Sequence, residues 1–450
     1  MLLKVLQFFA DYFLLIAILL FGGISYWGIT QTSRRQKQAR KILDKAIQTN
    51  SHEPISLHPQ IDPVKCAGCG ACTRVCPEGD ILQMVHHKAV LVSPGKCVGH
   101  GECEVACPFG AIELVFGTRT RGQEIPRLNT NYETNVPGLY IVGELGGMGL
   151  IRNAVKQGNL AATHALKARR EQTSKAQYDV LIVGAGPAGL ASALTAISMK
   201  AKYLVIDQNT LGGTVANFPR QKVVMSYPAE LPIVGQMKFS KNKISKEDLL
   251  DYWSDVCQKT GLKISEREKF EGLTQQSGMF VVKTSKGSYT ARKVILAMGV
   301  RGTPRRLGLK NEDLPKVTYN LLDPEQYQNC NVAVIGGGNA GVEAAQYLSK
   351  SKYGNKVTLL IHGATLDRCN DENREKIEER QRMGKVEICY NSQVTEIHKD
   401  RLVVKKEGQP TQIKNDFLFV FIGAEVPQAF LSSLGVKFEK KFGEALKSGS

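Results

Sequence analysis

Two stretches of the chain repeat one pattern, and few folds can house that pattern twice. Tyr178–Val183 (YDVLIV) is a short apolar run leading directly into Gly184-Ala-Gly186-Pro-Ala-Gly189, with the helix-like LASALTAISM behind it. A second apolar run, Tyr203–Ile206, ends in Asp207, 21 positions after Gly186. The order recurs about 150 residues later as Asn331–Ile335 (NVAVI), Gly336-Gly-Gly338-Asn-Ala-Gly341, VEAAQYLSK and the strand-like VTLLI. A bare G-x-G-x-x-G says little. Between a strand and a helix it has a mechanism: the glycines allow a tight turn and close approach to a pyrophosphate. The helix N-terminus attracts the phosphate charge, and an acid after the second strand suits ribose hydroxyls. The expectation is an α/β chain with two Rossmann-like dinucleotide units.

At 450 residues there is room for about three domains. Hydrophobic residues at 42% and charged residues at 22% are ordinary globular usage, which excludes a disordered or collagen-like chain. The net charge of +17 admits nucleic acid, an acidic protein or an anionic membrane as partner. Its distribution decides: residues 1–50 hold seven basic and two acidic side chains, and the rest of the excess is diffuse. No nucleic-acid motif or aromatic-basic run is present, so nucleic acid is not expected. From Tyr12 to Ser33 no side chain is charged, and as a helix Tyr12–Ile29 would span about 27 Å, roughly a hydrocarbon core. Arg34, Arg35, Lys37, Arg40, Lys41 and Lys45 follow. A cleavable signal would carry its charge in front of the apolar run. One N-terminal transmembrane helix (1–33) is expected, then a basic linker (34–60), with the body on the cytoplasmic face of the inner membrane.

Seven of the eleven cysteines fall between Cys66 and Cys107, which suggests metal binding rather than dispersed disulfides. Cys66-Ala-Gly-Cys69-Gly-Ala-Cys72-Thr-Arg-Val-Cys76-Pro77 has the C-x2-C-x2-C-x3-C-P spacing. A zinc site would usually separate two cysteine pairs by a longer loop. Cys97-Val-Gly-His100-Gly-Glu-Cys103-Glu-Val-Ala-Cys107-Pro108 repeats it with His100 at the second cysteine position. Residues 61–116 thus resemble two-cluster bacterial ferredoxins, a small α+β fold. The resemblance implies one 4Fe-4S cluster on Cys66, Cys69, Cys72 and Cys107. It implies a second on Cys97, Cys103 and Cys76, either 3Fe-4S or 4Fe-4S with His100 as fourth ligand. A solvent-facing His100 is the plain alternative.

The paired glycine units resemble the two-dinucleotide flavoproteins related to thioredoxin reductase. By that resemblance Gly184, Gly186, Gly189, Asp207 and Gly213 would bind FAD, and Gly336, Gly338 and Gly341 would bind NADPH or NADH. The turn Ile361-His362-Gly363-Ala-Thr-Leu-Asp367-Arg368 has neither the acid of NADH sites at the strand end nor paired arginines, so the choice stays open. Val294–Val300 and Phe417–Ala424 resemble the strands that leave and re-enter the flavin domain. The closing segment such enzymes carry at their end occurs upstream here: Glu133-Thr134-Asn135-Val136-Pro137-Gly138 through Gly143-Glu144 to Asn153-Ala154, with a helix to about Arg170. A circular permutation is implied, placing Gly143, Glu144, Asn153 and Ala154 at the flavin. No C-x-x-C precedes the second glycine motif, where Cys330 stands alone. In this the chain resembles bacillithiol disulfide reductases.

The expected layout is a closing segment at 117–170, an FAD-binding domain at 178–325, an NAD(P)-binding domain at 326–415 and a return to the flavin domain at 416–450. The expected activity is an FAD-dependent NAD(P)H oxidoreductase that converts two-electron to one-electron transfer. Its acceptor is a redox partner protein, a quinone or a small disulfide, and a homodimer is left open. A disulfide reductase and a non-catalytic redox sensor or carrier are the alternatives. No catalytic side chain is assigned.

Overall fold

The computed structural model describes residues 2–445 other than 49–56, 77–78, 95–96, 98, 119–121, 147–149, 168–175, 221, 226–228, 240–243, 277, 301–303, 367, 407 and 424–426. Two units are present: 1–54, 59–97 and 101–114 form the smaller, and 55–58, 98–100 and 115–450 the larger.

The smaller unit begins with α1 (Leu2–Gln48), whose described side chains start at 17. Residues 34–48, expected as a linker, instead continue this helix. They contain no Pro or Gly to stop it, and Ala39, fully buried, packs with Ile42 and Leu43 against Val85, Val90 and Val92. Among the described residues, no helix is long and apolar enough to cross a membrane. The expected span at Tyr12–Ile29 lies partly outside the described side chains. Next come β1 (His58–Ile61), α2 (Ala71–Val75), β2 (Leu82–Val85), β3 (Lys88–Leu91), α3 (Glu102–Val105) and β4 (Ile112–Phe116). β2 and β3 form an antiparallel hairpin, and β1 neighbours β4 in a second sheet. The core is Cys72, Leu82, Ala89, Cys103 and Ile112.

The larger unit opens with β5 (Gln123–Pro126), β6 (Leu139–Ile141), α4 (Ile151–Lys167), β7 (Tyr178–Val183), α5 (Pro187–Ser198) and β8 (Tyr203–Ile206). Four short strands, β9 (Val223–Met225), β10 (Glu230–Leu231), β11 (Gly235–Gln236) and β12 (Ile244–Ser245), lead to α6 (Lys246–Thr260), β13 (Phe270–Gln276), β14 (Met279–Thr284) and β15 (Gly287–Leu296). β15 organises the first sheet. One edge pairs in parallel with β7, and the other is shared by β14, antiparallel, and β6, parallel. Alternation along β7 separates two cores. Val180 and Ile182 join α4, α5 and α6, while Leu181 and Val183 join Phe270, Phe280, Leu431 and Val436.

A second sheet, wholly parallel, contains β16 (Val317–Thr318), β17 (Asn331–Ile335), β18 (Lys356–Leu360) and β19 (Val386–Cys389), with α7 (Asn339–Leu348) and α8 (Asp371–Arg382) between them. The meander β20 (Ser392–Ile397), β21 (Arg401–Lys406) and β22 (Gln409–Lys414) precedes β23 (Phe417–Val420). Here the structure departs from expectation. Phe417–Val420 does not re-enter the first sheet but lies between β16 and β17 in the second. An uninterrupted apolar run suits a central parallel strand covered on both faces. The return to the first sheet comes later, when Leu431 of α9 (Gln428–Ser433) packs on it and β24 (Phe438–Lys441) pairs with β5. The last strand, β25 (Glu444–Ala445), pairs with Phe116 and Val115, the end of β4 that belongs to this larger unit.

Candidate functional site

Cys66, Cys69, Cys72 and Cys107 line one small cavity with Ala89, Ala111 and Ile112. The loop before α2 reaches it through Gly68 and Gly70, both left-handed (φ 75 and 69). At Gly68 a Cβ would sit 2.3 Å from His87 O, so no other residue allows the loop this close to the hairpin. Cys72 is buried, and burial, then the neighbouring Cys66, Cys107 and Cys69, push its thiol pKa up. Ala111 N donates to Cys107 Sγ at 3.3 Å. The second group is built the same way. Gly101 (φ 85) caps α3, and Cys103 is pushed up to about 12 by burial, then by Cys97 and Cys76. His100 is half-buried, falls in the 98–100 segment of the larger unit, and has partners within the fold.

Among the described residues, no three His, Cys, Asp or Glu side chains close on a single ion. A cluster is held differently, each thiolate binding its own iron. Thiols that raise one another's pKa ionise together only when cations compensate them, and an amide donating to sulfur favours the thiolate further. Both groups fit iron–sulfur clusters on these grounds.

The glycine turn after β7 divides its labour position by position. A Cβ on Gly184 (φ 111) would sit 2.4 Å from Ala297 O, and one on Gly189 would sit 1.8 Å from Gly184 O. Those two positions serve strand and helix packing. Gly186, the N-cap of α5, has nothing within 4 Å of its would-be Cβ. Its side is open, as an incoming pyrophosphate requires. Gly213 faces it, its would-be Cβ 3.4 Å from Gly186 N. Asp207 accepts from Ala185 N and Asn209 N, both at 2.7 Å, so its carboxylate is fixed at the β8 end with acceptor capacity remaining. The residues present therefore fit a dinucleotide.

The upstream segment meets this turn. Gly143 (φ 79) donates its N–H to Gln157 Oε1 at 2.6 Å, and its would-be Cβ lies 3.4 Å from Ala188 of α5. Glu144 follows, half-buried in a single 3₁₀ turn, while 147–149 lie outside the described residues. Asn153 and Ala154 lie in the first turn of α4, Ala154 buried and Asn153 Nδ2 donating to Gly99 O at 3.3 Å. Sequence reading missed Gln157, which is 1% exposed with its Nε2 unpartnered. Nothing local marks it, because its partner Gly143 lies 14 positions away along the chain.

The second glycine turn mirrors the first. Would-be Cβ atoms at Gly336 (φ 133) and Gly341 sit 2.3 Å from Phe421 O and from Gly336 O, while Gly338 faces open space. That space is a cavity of about 880 Å³, lined also by Phe218, Lys222, Arg305, Glu343, His362 and Arg368. Tyr319 borders it and hydrogen-bonds Glu312, and burial followed by that carboxylate pushes the Tyr319 pKa up to about 12. Glu312 also accepts from Gly308 N at 2.9 Å, holding the 307–309 strip of the wall. Sequence reading missed Lys222 and Glu343, since their pairing joins distant stretches.

Residues 181–446 match the family described as Pyridine nucleotide-disulphide oxidoreductase, and residues 58–108 match the one described as 4Fe-4S dicluster domain. Bacilliredoxin reductase Bdr of Bacillus subtilis is 30% identical over 59% of this chain and 83% of its own. A ferredoxin–NADP reductase of Ignicoccus hospitalis is 32% identical over 58% and 83%. Among solved structures, bacillithiol disulfide reductase Bdr (YpdA) of Staphylococcus aureus matches with TM-score 0.54 and 25% identity, covering 58% of this chain and 80% of that one.

Proposed function

The chain belongs to the pyridine nucleotide-disulphide oxidoreductase family, and from that premise we propose that it carries electrons between NADPH and a membrane-side acceptor through FAD and two iron–sulfur clusters. It is an FAD-dependent NAD(P)H oxidoreductase with a ferredoxin-like domain. The observation that carries the finer reading is how its cysteines sort. Seven gather as two groups in the smaller unit, and Cys257, Cys330, Cys369 and Cys389 each stand alone in sequence. Without a C-x-x-C relay, electrons need another exit, and the clusters offer one.

Bound FAD supplies the exchange between hydride chemistry and single-electron transfer, which nicotinamide and clusters cannot make with each other. The protein's part is placement. Gly186 and Gly338 admit the two pyrophosphates at helix N-termini, and Asp207 is held ready to accept from ribose hydroxyls. NADPH is favoured because Glu343 is the one carboxylate among the described cavity-lining residues and is paired with Lys222, whereas His362 and Arg368 offer donors to a 2′-phosphate. The second cluster is assigned as 3Fe-4S on Cys76, Cys97 and Cys103, with His100 outside it.

The permutation is supported by the parallel pairing of β6 with β15 and by the close approach of Gly143 to Ala188 of α5, which bring the upstream segment to the flavin-type turn. A membrane anchor is supported by α1, where Ile18, Leu19, Phe21, Ile24, Tyr26, Trp27 and Ile29 are each more than 60% exposed ahead of the Arg34–Lys41 basic stretch.

Anaerobic titration with NADPH tests the reading. It predicts bleaching of the flavin absorbance with appearance of reduced-cluster EPR signals. Failure of both NADPH and NADH to bleach the flavin would contradict it. A second reading, direct reduction of a small disulfide, is favoured by the relatives' names. Bleached flavin with oxidised clusters and disulfide turnover would establish that one instead.

A further inference from the structure

We infer that Lys222, supplied by the first-sheet half of the larger unit, is a nucleotide-binding residue held in waiting by Glu343 of the second-sheet half. The inference rests on the reading of the 880 Å³ cavity as the NAD(P)H site. Lys222 Nζ lies 2.7 Å from Glu343 Oε2, and both side chains line that cavity together with the Gly336–Ala340 turn. Glu343 sits just past the first turn of α7, whose N-cap Gly338 opens onto the cavity and can admit a pyrophosphate. A bare carboxylate there would oppose the incoming anion, and Lys222 cancels it.

The two partners are not held equally. Glu343 is anchored on its far side, where Oε1 accepts from Asn373 Nδ2 at 3.1 Å. The Lys222 ammonium otherwise rests 4.8 Å from the centre of the Phe218 ring, a contact that leaves it free to turn. With side chains 23% and 24% exposed, the pair can part without stranding a dry charge. Its backbone is tied down meanwhile, Lys222 N donating to Pro219 O at 3.1 Å and Arg220 N to Leu322 O at 2.9 Å. A phosphate at the Gly338 turn therefore competes with Glu343 for Lys222, and nucleotide affinity depends on a cation from the other half.

The test is the Kd for NADP+ measured by anaerobic titration of the full-length, FAD-loaded protein in detergent. Lys222→Met is expected to weaken binding about tenfold and Glu343→Gln to tighten it several-fold. The double variant should return to within about threefold of wild type, and Lys222→Arg should stay within about threefold. A purely structural ion pair predicts instead that both single variants weaken binding or that neither changes it, and either result overturns the inference. Flavin content and Tm identify a variant that has misfolded, and Lys222→Arg against Glu343→Gln then carries the comparison. Wild-type protein that binds neither NADP+ nor NAD+ overturns the underlying site reading, a failure distinct from same-sign shifts in the variants.

Discussion

Gly186 and Gly189 are three positions apart in one turn yet answer to different demands. A methyl on Gly189 would meet the Gly184 carbonyl at 1.8 Å, so α5 could not close on β7, while a methyl on Gly186 would meet no protein atom. Gly189→Ala should therefore destabilise the fold by about 1–3 kcal/mol and lose flavin as a consequence. Gly186→Ala should leave the Tm of flavin-free protein unchanged and weaken FAD retention, because the methyl occupies the cofactor's space. Thermal melts beside flavin release separate the two, and equal Tm losses would contradict the assignment. These glycines were legible in the sequence because their requirement is local, set by a strand, a turn and a helix within a dozen residues. Gln157 and the Lys222–Glu343 pair were not. Their meaning lies in partners that only the folded chain supplies, 121 positions apart for the ion pair.

Elements were legible where periodicity speaks and ambiguous where it does not. The runs at 178–183 and 331–335 became β7 and β17, each followed by its expected helix. Phe417–Val420 was recognisable as a strand but not as a member of the second sheet, since an all-apolar run pairs equally well at several places and long-range neighbours decide. α1 shows the same limit: apolarity and then charge suggested an anchor and a linker, but contact with the hairpin makes its C-terminal part structural. Deleting 2–33 should release the protein from membrane fractions with its iron content intact. Deleting 2–48 uncovers Val85 and Val92, fully or nearly buried at 8% and 0% exposure, and should cost the smaller unit roughly 2 kcal/mol or more. Fractionation, iron analysis and melting check both, and a 2–33 deletion that still sediments with membranes would contradict the anchor.

At the scale of the whole molecule, the chain joins two dinucleotide cradles to two thiol groups, and each part constrains the others' chemistry. Isolated cysteines in the larger unit leave no dithiol relay in sequence, and the proposed electron path therefore leaves the flavin through the clusters. The ferredoxin-like module was legible because its ligand spacing is rigid, seven cysteines at near-repeated intervals. The terminal acceptor was not, since it is recognised by surfaces rather than motifs. The proposed electron path fixes an order of events: nucleotide to flavin, then flavin to clusters. Rapid anaerobic mixing with NADPH, followed by absorbance and freeze-quench EPR, tests that order directly. Loss of oxidised-flavin absorbance is expected first and cluster reduction afterwards, at the rate of flavin reoxidation. Clusters that stay oxidised throughout while the flavin is fully reduced would contradict it.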